Sequence, residues 1–325
     1  GLSVVIEWAS RVFAASAFPD VICAMPVKIP RTLPASSTLT EENIFVITEE
    51  RAAAQEIRPL RVAILNLMPT KIATETQLLR LLGNSALQVE ITLLQTATYQ
   101  ARHTDASHLL MHYVSFEDVR EQRFDGLIIT GAPVEHLGFE EVDYWRELCG
   151  IMDWAETHVT GCMYICWGAQ AAMYHKFGVP KHGLTRKMFG VFEHRVLEPQ
   201  WGIFKGFDDR FFAPHSRHTE TRRADIERVG ELVLLSESDE AGVHMVGTRD
   251  GRHLFITGHS EYDPMTLKAE YDRDVAKGLP IHVPCNYYPD DDPGLLPMVR
   301  WRAHANVLFS NWLNYHVYQI ASLRS

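Results

Sequence analysis

Long apolar runs are missing from this chain of 325 residues. No stretch reaches the ~18–20 consecutive apolar residues of a helical membrane span, so no membrane span is expected. Cysteine is scarce: there are five, at Cys23, Cys149, Cys162, Cys166 and Cys285. A sparse, odd set in a chain this long excludes a disulfide scaffold and points to reduced thiols in a cytoplasmic protein. Cys162 and Cys166 stand as C-x3-C with no matching Cys/His pair, so no metal site is expected. Positive charge is also in deficit, with 31 Lys and Arg against 41 Asp and Glu, a net charge of −10. With no long basic run, this argues against a nucleic-acid binder. A small anionic substrate could still be held by a local cluster of Arg and Lys.

What is present is the composition of a soluble globular protein, with 46% hydrophobic residues. Residues 1–24 are apolar and mostly small, and Met25 follows. A secretory signal would carry a basic segment before its apolar run, and none is there. The segment reads as a leader or upstream extension ahead of a start at Met25, with a peripheral helix as the alternative. Residues 25–325 then form a single catalytic domain. Residues 25–60 carry Pro26, Pro30, Pro34 and Pro59 and read as an arm over the core.

The organising stretch is GCMYICWGAQAA at 161–172. It begins as a buried strand and ends as a helix of small, unbranched residues, with Cys166 at the change. A tight strand-to-helix turn would expose this thiol at a helix N-terminus, where the dipole and free N–H groups favour the thiolate. The backbone N–H of Trp167 would face an oxyanion formed on a carbonyl attacked by the sulfur. A buried structural cysteine is the other reading, since Cys is among the most buried residue types.

Around it, residues 61–67 are a continuous apolar run suited to a strand buried on both faces, and a helix is expected over 73–82 with Gly83 as its stop. Residues 87–94 and 125–131 read as further strands, and 139–158 as a helix. Residues 96–123 are polar and His-rich and give no clear element. Strand–helix alternation with short loops predicts a parallel sheet flanked by helices, with ligands at the carboxyl ends of the strands. Residues 66–71, 131–135 and Cys166 all fall at such ends. In the second half, residues 189–196, 232–236 and 242–257 alternate like strands, with Asp250-Gly251 as a type I′ hairpin turn. Helices are expected over 264–278 and, rich in aromatics, over 301–320.

The strand at 254–258 runs into His259-Ser260-Glu261. Residues i and i+2 of an extended segment share a face. At a strand end this lets an imidazole lean toward a nucleophile while a carboxylate fixes its tautomer. With 16 histidines, one such spacing is expected by chance. Its place downstream of a candidate nucleophile turn is what gives it weight.

A Cys turn followed much later by H-x-E on an α/β core resembles the class I glutamine amidotransferases. More closely, the chain resembles the homoserine O-acyltransferases of methionine biosynthesis, the MetA family. The segments that carry this are ILNLMPTKIATETQ (64–77), ITGAP (129–133), FDD (207–209), APHSR (213–217), TGHSEYD (257–263), NYYP (286–289) and NWLNY (311–315). The resemblance implies a flavodoxin-like, amidotransferase-like α/β fold with added strands and helices in its C-terminal half. It implies a ping-pong transfer from acetyl-CoA to the hydroxyl of L-homoserine, with no cofactor beyond that co-substrate, in a homodimer. Cys166 would be acylated, His259 would act as base and Glu261 would hold His259. A second oxyanion donor would come from the turn at 131–134, though not from Pro133, which has no N–H. Lys187, Ser216 and Arg273 match the family's substrate-binding positions. Arg273 also stands three residues after Glu270, the spacing of an exposed helical ion pair. Lys71 lies in a matching segment and would serve the fold or the acyl-CoA. Glu135 sits where members using acetyl-CoA carry Glu and those using succinyl-CoA carry Gly; its side chain would fill the space and repel the charge of a succinyl tail. A solvent-facing loop charge is the alternative for Glu135. A succinyltransferase, a glutamine-hydrolysing amidotransferase and a non-enzymatic protein with a redox-sensitive Cys166 stay open as rival functions.

Overall fold

Strand β6 (Phe124–Ile129) has every residue buried, and β7 (Val159–Ile165) has all but one. These are the continuous apolar runs of strands covered on both faces. In the computed structural model, which describes residues 27–30, 32–41, 46–48, 58–98 and 105–320, they sit mid-sheet. The reading of residues 1–24, and Cys23 with it, lies outside the described residues.

The strands β1 (Val27–Ile29), β2 (Val46–Thr48), β3 (Leu60–Leu65), β4 (Val89–Gln95), β5 (Tyr113–Ser115), β6, β7 and β12 (His253–Ile256) run parallel. The strands β8 (His182–Val196), β9 (Arg210–Glu220), β10 (Leu232–Ser238) and β11 (Gly242–Thr248) extend the sheet as antiparallel pairs. The order across the sheet is β2-β1-β4-β3-β6-β7-β12-β11-β10-β8-β9, with β5 paired to β4. The fold is the expected parallel α/β core with added strands in the second half.

Successive residues of β7 go to opposite faces, as the period of two requires. Met163 and Ile165 join a core with the helices Pro34–Glu41, Lys71–Leu82 and Arg302–Asn311. Cys162 and Tyr164 join the other core, with Trp145–His158 and Trp167–Phe177. Among the described residues no helix is long and apolar enough to cross a membrane.

Several expectations need correction. The segment at 25–60 is not an arm over the core. Its described parts add β1 and β2 to the sheet edge and bury Leu33, Ala35 and Leu39 in the core. The helix expected from 139 onward is broken: a single 3-10 turn at Phe139–Glu141 gives way to extended backbone at Val142 before the helix at Trp145. Gly83 does stop its helix, but in a right-handed conformation. The Asp250-Gly251 hairpin is not type I′, because only Gly251 has positive φ (+71°). The C-terminal helix continues from Arg302–Asn311 as a π-helix over Trp312–Tyr318. The His-rich stretch holds a short helix at Ala106–His112, capped by Asp105, and then β5.

Because β3, β6, β7 and β12 are parallel, their carboxyl ends share one edge. Asn66, Gly131, Cys166 and the segment leading to His259 therefore face the same space.

Candidate active site

Cys166 links β7 to the helix Trp167–Phe177 with φ +50° and ψ −117°. A non-glycine residue with positive φ at this point stores on the order of 1–3 kcal/mol of strain, a conformation kept only when the surroundings enforce it. Two bonds do so: Cys166 N–H donates to Ile256 O at 2.7 Å, and Cys166 O accepts from Gln170 N–H at 3.1 Å. Gly168 lets the helix start press against the end of β6, since a Cβ there would lie 2.5 Å from Thr130 O. Trp167 is fully buried, and as the first helical residue its N–H has no acceptor within the helix.

His259 reaches the thiol from β12. Its N–H is held by Pro214 O at 2.8 Å, and Nδ1 lies 2.7 Å from Glu261 Oε1, both side chains buried. Donation from Nδ1 to the carboxylate leaves Nε2 for the sulfur. A Cβ built on Gly131 would stand 3.2 Å from Cys166 Cβ and 3.6 Å from His259 Cε1, so the two side chains meet over that glycine. Burial pulls the imidazole pKa down, but Cys166 and Glu261 together outweigh it and set it well above the ordinary histidine value. The three residues expected to act together are thus adjacent. A second grouping, Cys162, His253 and Glu156, has His253 pushed up to about 9 against its burial by Cys162 and Glu156. Its cysteine is mid-strand, however, with no helix N-terminus to serve it.

Glu135 is part of the same site. Its Oε1 is 3.9 Å from Cys166 Sγ, and its Oε2 accepts the His218 N–H. Lys181 Nζ ties the loop down by donating to Glu135 O (2.7 Å) and Leu137 O (2.6 Å). Burial raises the Glu135 pKa, opposed by the His218 N–H and the positive charge of His218, Arg217 and His259. A solvent-facing loop charge does not describe it.

Lys187 and Ser216 converge on a residue that the sequence reading treated only as an ion-pair partner. Glu270 takes Lys187 Nζ at 2.5 Å and Ser216 Oγ at 2.8 and 2.9 Å. Arg273 does not pair closely with Glu270: its Nη2 is 4.0 Å away, while its Nε donates to Asp274 at 2.7 Å. Its side chain is 55% exposed, at the rim of this cluster. Lys71 is directed elsewhere. Its buried ammonium donates to Asn66 O and to Met68 O, holding the turn after β3. Burial lowers its pKa to about 8, partly offset by Glu75. Glu75, hydrogen-bonded by Tyr113 at 2.6 Å, is raised by its own burial to about 7.

Sequence reasoning also missed Arg217. Only 2% exposed, it has no carboxylate in ion-pair contact among the described residues. It donates to His215 Nδ1 (3.2 Å), Thr219 O (2.7 Å) and Ala241 O. Burial depresses its pKa, and Cys166, Glu135 and Glu220 supply the negative charge that supports it. A buried cation needs such compensation. Its arrival through β9 was hidden by Pro214, a residue that argues against a strand.

Behind Arg217 lie His194, His215 and His244, buried, with ring nitrogens within 4.8 Å of one another. Three histidines could hold a metal, but the Arg217 N–H fixes the lone pair of His215 Nδ1. His215 Nε2 then carries the proton and donates to His194 Nε2 at 2.9 Å. A ligand histidine instead donates its outer N–H to an acceptor. Burial keeps the three rings neutral, His194 down to about 3. His194 and His215 form a stacked, hydrogen-bonded pair, while both ring nitrogens of His244 lack a hydrogen-bond partner among the described residues.

Comparison with known proteins finds relatives over most of the chain. Residues 26–323 match the family model described as homoserine O-succinyltransferase. A homoserine O-acetyltransferase of Acetivibrio thermocellus is 61% identical over 295 residues, covering 91% of this chain and 97% of that protein. One of Bacteroides thetaiotaomicron is likewise 61% identical, with the same coverage of both chains. A glutamine amidotransferase structure from Thermotoga maritima superimposes with a TM-score of 0.54 at 12% identity, covering 79% of this chain and 98% of that one. That last likeness concerns the fold alone.

Proposed function

Since the chain belongs to the homoserine O-succinyltransferase family, we propose that it is the acetyl-using form, transferring acetyl from acetyl-CoA to the hydroxyl of L-homoserine. The products are O-acetyl-L-homoserine, a precursor for methionine synthesis, and free coenzyme A. The observation that carries the choice of donor is Glu135 Oε1 at 3.9 Å from Cys166 Sγ. An acyl group on that sulfur must extend past this carboxylate. Acetyl ends after one methyl. A succinyl tail would meet the side chain and bring a second negative charge beside it. Two like charges about 4 Å apart repel by about 4 kcal/mol at an effective dielectric of 20.

The geometry supports the following mechanism. The Cys166 thiolate attacks the thioester carbonyl, forming a carbon–sulfur bond. The oxyanion is met by the Trp167 N–H and by an N–H of the turn at 131–134. The carbon–sulfur bond to coenzyme A breaks, and the departing thiolate takes the proton from the His259 imidazolium. His259, now neutral, accepts the homoserine hydroxyl proton as that oxygen attacks the acetyl-cysteine, and Cys166 leaves as thiolate. Glu261 holds the ring and balances its charge in both steps. Lys187, Ser216 and Arg273 bind the acceptor, with the Glu270 carboxylate as counter-charge for its ammonium. Lys71 serves the fold, with its ammonium on the carbonyls of the turn after β3. We further propose a cytoplasmic homodimer needing no cofactor; the free thiols of Cys149, Cys162 and Cys285 favour a reducing compartment.

Replacement of Glu135 tests the donor assignment. Glu135→Gly is expected to raise kcat/KM for succinyl-CoA by about 100-fold or more, the ceiling set by the repulsion above, while keeping acetyl transfer. An unchanged donor preference would remove the assignment.

A further inference from the structure

The turn after β6 meets the turn after β3 through one hydroxyl. Thr130, 3% exposed, accepts the Leu67 N–H on Oγ1 at 2.8 Å and donates from the same oxygen to Gly131 O at 3.0 Å. Its own N–H is held by Leu65 O at 3.1 Å. The β3 turn behind it is firmly built. Asn66 N–H donates to Leu94 O at 3.1 Å, and the Asn66 side chain donates to Lys71 O at 3.2 Å and to the Tyr113 hydroxyl at 2.9 Å. The Lys71 ammonium closes the turn on Asn66 O. A hydroxyl that gives its proton and has a lone pair taken is held in direction.

That direction matters because of the sheet order. Strand β6 lies between β3 and β7. Thr130 Oγ1 stands on the β3 side, with Leu67, and draws the Gly131 carbonyl to that side. A planar trans peptide sends its N–H opposite to its C=O. The Ala132 N–H is thereby turned toward β7, where Cys166 stands at the strand end. The approach is close: a Cβ on Gly131 would lie 3.2 Å from Cys166 Cβ. The preceding peptide turns differently. Thr130 O lies 2.5 Å from where a Cβ on Gly168 would be, so the Gly131 N–H points away from the helix start. Pro133 has no N–H, and Val134 lies beyond it. The Ala132 N–H has no acceptor among the described residues, in a residue 6% exposed. A backbone donor kept free at such a place fits a charge that appears only during reaction.

We infer that Thr130 is a positioning residue for acyl transfer: its hydroxyl holds the Gly131–Ala132 peptide so that the Ala132 N–H, with the Trp167 N–H, meets the oxyanion. This rests on the acyl-transfer reading above, so the test includes a reaction that needs no oxyanion. Alkylation by iodoacetamide at Cys166, located by peptide mass, displaces iodide from a saturated carbon and reports the thiolate alone. Acetyl-enzyme formation and discharge both pass through tetrahedral oxyanions. Thr130→Val keeps the shape and loses the hydroxyl. It is expected to slow formation and discharge by L-homoserine each about 10- to 100-fold, in kcat rather than KM, short of the loss from deleting a donor outright. Its alkylation rate is expected within about threefold of wild type. Thr130→Ser, which keeps the hydroxyl, is expected to stay within about threefold in all three reactions. Should Thr130→Val not fold, Thr130→Ala carries the same expectation. Wild-type acyl transfer in the hydroxyl-free variant, an equal fall in its alkylation, or equal losses in Thr130→Ser would overturn the inference. A wild-type protein that is alkylated but forms no acetyl-enzyme would instead overturn the acyl-transfer reading.

Discussion

The parallel and antiparallel halves of the one sheet do different work. The parallel half carries the residues proposed to react: Cys166 and Trp167 at the end of β7, Gly131 at the end of β6, and His259 and Glu261 beyond β12. The antiparallel half carries the residues proposed to recognise substrate: Lys187 from β8 and Ser216 from β9, with the His218 N–H of β9 on Glu135. Strand β12 is the seam, parallel to β7 and antiparallel to β11. In the proposed reading, chemistry sits on the parallel part of the sheet and substrate choice on the antiparallel part. Changes on the parallel side should stop both half-reactions. Changes on the antiparallel side should alter which substrate is used, or how tightly.

The largest expected effect lies on the parallel side. Cys166→Ala should lower kcat by at least about 10⁴-fold with either donor, the scale of losing a covalent nucleophile. A residual rate within 100-fold of wild type would mean direct transfer without an acyl-enzyme and would dissolve the comparison. Next comes the donor exchange of Glu135→Gly, at the meeting point of the halves. Ser216→Ala on the antiparallel side should raise KM for L-homoserine about 10- to 100-fold, a lost bond to a charged group, with coenzyme A release in the first half-reaction kept. If acetyl-enzyme formation falls equally, recognition and chemistry are not divided this way.

The smallest effect concerns stability, in the buried cluster behind β3. The Glu75 pKa is raised to about 7 from 4.5, so the folded state holds an extra proton between those values. Its contribution is full below pH 4.5 and is lost as pH rises through 7. Lys71, lowered to about 8 from 10.5, acts in a later window: the folded state sheds that proton first, and stability is regained as pH rises from about 8 to 10.5. Urea unfolding of Glu75→Gln across pH 4.5 to 8 should lack the wild-type decline over the first window. Parallel curves for the two proteins would contradict the placement of Glu75.

What could be read from the residues alone depended on burial and period rather than on strand direction: the antiparallel β10 and β11 were legible from their alternation, and the parallel β1, β2 and β5 were not. The central parallel strands β3, β6 and β7 were legible because burial on both faces writes continuous apolar runs, and short loops fix their order. Cys166 was visible from its strand-to-helix context, and the H-x-E spacing gave its partners. On the other side, β8 runs through His182–Val196 with a register shift between Gly183 and Met188, and β9 carries Pro214. Only residues 189–196 of β8 alternate, so its first half and β9 went unread. Lys187, Ser216 and Arg273 came from the family resemblance, which names positions but not contacts. The pairing of the first two with Glu270, and of Arg273 with Asp274, was therefore hidden. Arg217 and the three clustered histidines were invisible for a related reason: polar side chains in a core declare themselves only when their partners are in place. The edge strands β1 and β2 were missed because three-residue strands among prolines leave no period to detect.

The most direct test of the account is the intact mass of the protein after acetyl-CoA or succinyl-CoA alone, for wild type and Cys166→Ala. An acetyl adduct on wild type only, discharged by L-homoserine, is the predicted result. Failure of both donors to leave an adduct on a wild-type protein that still turns over would contradict it.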